Sequence, residues 1–126
     1  LKEVINVARC DQKIAHCLTE LGNGHEALVA AQKSLDVFIT AHDSVRETYS
    51  LYEVGKAQIV SGQEEEGLNT LDRVLEIVTE SDNKDFEFII EIERKMAAVL
   101  RKLGRDDEGE EIERRLAAVA EIVEEG

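Results

Sequence analysis

Three histidines, two cysteines and a few runs of acids are the residues here with the means to do chemistry, and their spacing decides whether they can. His16, His25 and His42 fall on two predicted helices and a linker. None has a histidine four residues away, and none sits in the His-Glu-x-x-His frame of a zinc hydrolase. His25 and His42 fall at predicted turns, where an imidazole more commonly bonds to backbone. Cys10 and Cys17 lie on one predicted helix with α-carbons about 10 Å apart, beyond disulfide reach. They read as buried, reduced thiols, which fits a cytoplasmic location. Gly22-Asn23-Gly24 has the look of a phosphate-binding loop, but such a loop follows a strand and this one joins two helical segments. No Gly-x-Ser-x-Gly elbow is present. Glu64-Glu65-Glu66 and Asp106-Asp107-Glu108 could exchange protons in principle. They open predicted helices, however, where the macrodipole favours acids without catalysis. The expectation is a protein that is not an enzyme and uses no metal or cofactor.

The elements that carry these residues are helical. The chain has 126 residues, one domain's worth, with 43% hydrophobic and 34% charged residues and no proline. Its Ala, Leu, Glu and Arg lose little rotamer freedom in a helix. No apolar run nears the roughly 18 residues that span a bilayer, and no secretory signal pattern is visible, so no membrane partner is expected. The first residue is Leu1 rather than Met, as in a fragment of something longer. The net charge of −13 argues against a nucleic-acid partner, which needs a cationic face. The acids accumulate toward the C-terminus and read first as a solvated surface.

A repeat organises the chain. Leu21-Gly22-Asn23-Gly24-His25-Glu26-Ala27-Leu28 returns as Ser61-Gly62-Gln63-Glu64-Glu65-Glu66-Gly67-Leu68, and again as Leu103-Gly104-Arg105-Asp106-Asp107-Glu108-Gly109-Glu110. Each copy has a glycine able to end a helix in the left-handed conformation, then acids suited to the start of the next helix. A small residue five positions on (Ala27, Gly67, Gly109) lets the second helix approach the first closely. Apolar residues at three-and-four spacing predict the buried faces. These are Ile14, Ala15, Leu18 and Leu21; Ala27, Leu28, Ala31, Leu35 and Phe38; Leu51, Val54, Gly55 and Ile59; and Leu68, Leu71, Leu75 and Val78. Phe88, Ile92, Met96, Val99 and Leu103 form the fifth face, and Ile112, Leu116, Val119 and Val123 the sixth. Six helices follow, near 2–21, 25–40, 44–61, 65–80, 85–103 and 107–124, joined outside the repeats by polar connectors at 41–44 and 81–84.

With its small residues seven before the turn glycine (Ala15, Gly55, Ala97) and five after it, the chain resembles tetratricopeptide (TPR) repeats of the long, roughly 40-residue type found in kinesin light chains and bacterial regulators. Leu35 and Leu75 match a further family leucine, which Ala117 replaces in the third copy. The family's early aromatic is replaced by Asp11, Leu51 and Glu93, its tyrosine by Leu18, Gln58 and Leu100, and its terminal proline is missing. The resemblance implies an all-α fold: three helix-turn-helix hairpins, six antiparallel helices, stacked as a right-handed superhelical solenoid. It implies one domain over 1–126, with repeats at about 1–42, 43–83 and 84–126.

The resemblance also implies a concave groove lined by the first helix of each hairpin. Its positions here are Arg9, Gln12, Lys13, His16, Thr19 and Glu20; Tyr49, Tyr52, Glu53, Lys56, Ile59 and Val60; and Glu91, Arg94, Lys95, Ala98, Arg101 and Lys102. They hold seven of the chain's 15 Lys and Arg but three of its 28 acids. The expectation is a protein-binding scaffold or regulatory module that takes an acidic peptide or helix of a partner. Arg9, Lys13, Lys56, Arg94, Lys95, Arg101 and Lys102 would meet its carboxylates, and Tyr49 and Tyr52 its apolar anchors, with His16 also lining the groove. Gln12, His16, Glu53, Glu91 and Lys95 stand where chaperone-binding relatives clamp a terminal carboxylate, a poor match to that ligand. The alternative reading is self-association as a homodimer through the last helix.

Overall fold

The computed structural model describes residues 1–125, apart from the side chains of Val123 and Glu125. Six helices follow one another: α1 (Lys2–Glu20), α2 (Gly24–Thr40), α3 (Ser44–Val60), α4 (Glu64–Glu80), α5 (Phe86–Lys102) and α6 (Asp106–Glu125), with no strand among the described residues. Every helix end falls within one residue of its sequence expectation. The chain forms two compact units, Leu1–Val74 and Leu75–Gly126, the division falling inside α4.

One turn recurs. After α1 the amide of Gly22 donates to the Thr19 carbonyl and that of Asn23 to the Leu18 carbonyl, the paired bonds of a Schellman cap. The same pair ends α3 at Gly62 and Gln63, and α5 at Gly104 and Arg105, with the three glycines at φ of +82°, +95° and +78°. It also ends α2, where sequence reading saw only a polar connector: His42 donates to Ile39 and Asp43 to Phe38. His42 takes φ 55° with a side chain the glycines lack. Asp43 then serves the next helix, its carboxylate accepting from the Arg46 amide at 3.1 Å, and Asp85 caps α5 in the same way through Phe88.

Small residues set the packing within each hairpin. A Cβ on Gly67 would lie 2.8 Å from the Gly55 carbonyl oxygen, so α3 and α4 cross backbone to backbone. Gly109 meets the Ala97 carbonyl oxygen on α5 in the same manner, and Ala15 and Ala27 are fully buried at the equivalent places on α1 and α2. In the first unit α1 packs on both α2 and α3, and α2 on α3. Its core gathers Ala15, Ala30, Ala31, Leu35 and Val54, with Leu28 and Leu51 against them. Leu71 and Val74 of α4 are fully buried. In the second unit α5 packs on α6, and Phe88, Ile92, Met96, Val99 and Ile112 are buried.

The expected faces hold for α2 to α5, with Leu28, Leu51, Ile59, Leu75 and Leu103 half-buried. Two ends depart from expectation. On α1 only Ala15 of the four expected residues is fully inside; Leu18 is half-buried, and Ile14 and Leu21 are exposed. The helix turns a row of smaller residues inward instead, Ala8, Ala15 and Thr19, because close approach to α2 and α3 leaves room for nothing larger. Cys10 and Cys17, expected inside, are free and exposed on the outer side of that helix. On α6 Ile112 is buried, Leu116 half-buried and Val119 exposed, while the Val123 side chain lies outside the described residues.

Candidate functional site

In the first unit, α1 and α3 lie side by side. A polar network joins them: Gln12 Nε2 donates to the Ser50 hydroxyl at 3.1 Å and the Arg46 carbonyl at 3.3 Å. Ser34 of α2 bonds the same Ser50 at 2.9 Å, and both serines are fully buried. Gln12, expected to face a ligand, is thus half-buried and committed to the fold. Beyond it the two helices present one continuous strip. Arg9, Lys13 and His16 are exposed on α1, and Val45, Tyr49 and Val60 are exposed on α3. Arg9 and Lys13 make no ion pair with any described residue.

Three further predicted residues, Tyr52, Glu53 and Lys56, form a buried cluster beneath this strip, at 3%, 7% and 6% exposure. Lys56 Nζ lies 2.6 Å from Glu53 Oε1, 4.5 Å from the Tyr52 ring centroid and 3.1 Å from His16 Nδ1. An ammonium can only donate, so in this contact His16 Nδ1 is the acceptor. Helical spacing explains the pair, since Glu53 and Lys56 stand three residues apart on one face. Lys56 is therefore neutralised in place by Glu53 and anchored to α1 by His16. Glu53 Oε2 is buried without a hydrogen-bond partner among the described residues. Burying both charges is costly unless they meet each other, so this cluster fixes the α1–α3 pairing more than it attracts a ligand.

In the second unit the outer face of α5 holds an open depression of about 410 Å³, lined by Glu87, Ile90, Glu91, Arg94, Lys95 and Ala98. Arg94 and Lys95 are exposed there and make no ion pair with any described residue. Glu87 and Glu91 share the depression, so its charge is mixed. Arg101 stands at the edge of this face and binds Glu113 of α6 through two parallel hydrogen bonds of 2.6 and 2.8 Å. That contact holds the Glu113 carboxyl below its usual range. Lys102 is exposed and engaged in an interaction of its own.

The predicted cations thus fall into two sorts: Arg9, Lys13, Arg94 and Lys95 have no partner among the described residues, while Lys56, Arg101 and Lys102 are engaged within the fold. The carboxylates that tie Lys56 and Arg101, Glu53 and Glu113, stand three residues before Lys56 and on the paired helix opposite Arg101. The first was readable as an i, i+3 pair; the second needed the register of α5 against α6. The exposed Val45 is the strip's one apolar residue that sequence reasoning missed, because attention went to the family's groove positions. Among the described residues no group of three or more His, Cys, Asp or Glu gathers to hold a metal, and no helix is long and apolar enough to cross a membrane. Compared with models of known protein families the chain matches none, and no curated protein is significantly similar to it.

Proposed function

We propose that the chain is a protein-binding module of tetratricopeptide type, three hairpins stacked as a right-handed superhelical solenoid, which takes an acidic peptide or helix of a partner. The recurring Schellman turn and the small-residue pairs at Ala15/Ala27, Gly55/Gly67 and Ala97/Gly109 support the repeat reading. The observation that carries the function is the strip on α1 and α3. Arg9 and Lys13, unpaired among the described residues, stand there beside exposed Val45, Tyr49 and Val60. Cations free of intramolecular partners can meet carboxylates, and exposed apolar and aromatic side chains supply the anchors that carry most binding energy. Arg94 and Lys95 on α5 would add a second point of contact.

Affinity capture from native lysate tests this with the wild type and two variants, Arg9→Glu/Lys13→Glu and Arg94→Glu/Lys95→Glu. Arg101 and Lys56 are left alone, since changing them breaks the fold's own pairs. Partners lost with the variants at unchanged melting temperature are expected; the same partners on all three proteins would remove the reading. A second reading, self-association through α6, is favoured by exposed Val119 and Ile122 on that helix. A mass in dilute solution that doubles, and returns to that of one chain in Val119→Asp/Ile122→Asp, would replace the first reading with this one.

A further inference from the structure

Val4, Val7, Asp11, Ile14, Leu18 and Leu21 follow one another along α1 and its cap at steps of three, four, three, four and three. That is the heptad spacing of a seam made to receive another helix. It is a different stripe from the one α1 buries against α2 and α3, and it lies on the opposite side of the helix from Arg9, Lys13 and His16. Val4, Val7 and Ile14 are 52%, 59% and 49% exposed, well above the incidental exposure of one apolar residue. Between α1 and α2 the seam opens into a groove of about 540 Å³, its floor Val4, Val7, Ala8 and Val37 and its rim Glu3, Asp11, Lys33 and Asp36.

The rim and Asp11 define the occupant. Three of the four rim charges are acidic, and Asp11 stands half-buried in the middle of the apolar line with no hydrogen-bond or ion-pair partner among the described residues. Covering it with an apolar surface would strand a carboxylate away from water. A second copy of this chain meets the same obstacle. Parallel pairing of two seams sets Asp11 against Asp11, and antiparallel pairing sets Asp11 against Ile14, with a net charge of −13 on each copy. The complement is a helix with an apolar stripe, a Lys or Arg opposite Asp11, and basic flanks to meet Glu3 and Asp36.

We propose that this face of α1 is a docking site for such a basic amphipathic helix, supplied by a partner protein. The site stands on observations separate from the α1–α3 strip and survives if that strip binds nothing. Val4 to Leu21 spans about 26 Å of helix, so the occupant covers roughly 17 residues.

The test uses synthetic peptides and fluorescence anisotropy at fixed salt. The probe is a 21-residue peptide, roughly the seam's length, with Leu at the stripe positions, one central stripe Lys, and Lys flanks. Its scrambled isomer keeps the charge but loses the stripe. The probe is expected to bind at least about tenfold more tightly than the isomer, and Val7→Asp/Ile14→Asp to remove that margin while circular dichroism stays unchanged. Asp11→Lys is expected to weaken the probe and to regain binding when the central peptide Lys becomes Asp. Equal affinity for the two isomers, or no effect of either variant, overturns the proposal. A dimer of the wild type that Val7→Asp/Ile14→Asp dissociates would overturn it too, by assigning the seam to a second copy.

Discussion

His42 occupies a position that three equivalent turns give to glycine. Gly22, Gly62 and Gly104 enter the left-handed region with no Cβ, whereas His42 does so at φ 55° with a full side chain. That conformation costs a residue with a Cβ about 1–2 kcal/mol, and glycine recovers part of it while adding freedom to the unfolded chain. His42→Gly is therefore expected to stabilise the protein by about 0.5–1 kcal/mol, read as a rise of a few degrees in melting temperature. A fall would mean that the imidazole holds something the turn needs. Gly67 is the opposite case, because its constraint is space. A side chain there meets the Gly55 carbonyl and Ile59 at once, both on α3. Gly67→Val should cost about 3 kcal/mol or more in chemical denaturation, with the hairpin forced apart. The sequence showed a small residue at this place in each copy; that the neighbour across the crossing is a backbone carbonyl is knowledge only the packing supplies.

Helices were the most legible level of this molecule, because a glycine turn separates the two helices of each hairpin, at Gly22, Gly62 and Gly104, and apolar spacing fills the intervals. What spacing could not decide was which of two apolar stripes on α1 faces inward. One is made of small residues, Ala8, Ala15 and Thr19, and the other of larger ones, Val4, Val7, Ile14, Leu18 and Leu21. Hydrophobicity favours the second, but close helix approach selects the first, and the larger stripe is left outside. The same logic displaced the cysteines. On α4 no such competition exists, and Leu71 is wholly buried as its spacing implied. Leu71→Ala should cost about 2–5 kcal/mol, and near-wild-type stability would show that the site collapses around the change. Between α5 and α6 the Arg101–Glu113 contact makes stability depend on pH. Glu113 titrates below its unfolded value near 4.3, so its contribution is complete above that value and is lost as pH falls through the lower folded one. The wild type should exceed Glu113→Gln in stability at neutral pH, and the two stability curves should converge as pH falls through that acid range, the variant being the flatter.

At the scale of the whole molecule, a net charge of −13 acts on every partner before any contact forms. The two proposed surfaces respond to it with opposite signs. A basic helix approaching the α1 seam is drawn in by the whole chain and then by Glu3, Asp11 and Asp36. An acidic peptide bound for Arg9 and Lys13 is repelled at long range and attracted only within the last few ångströms. Salt separates these contributions, because the screening length shrinks from about 10 Å near 0.1 M to about 3 Å at 1 M, removing distant terms first. The association rate of a basic striped peptide should therefore fall steeply as salt rises. That of an acidic peptide should stay level or increase before short-range screening weakens its final contacts. Stopped-flow rates across this range for the two peptides, each against the wild type and the variant of its own surface, give the comparison. Steep falls for both would mean that the acidic peptide is steered by a cationic region larger than the strip. A level response for both would remove the charge complementarity on which the seam proposal depends. If the slopes diverge and each peptide loses its binding only in the variant of its own surface, α1 carries two separate sites, one on each side of a single helix.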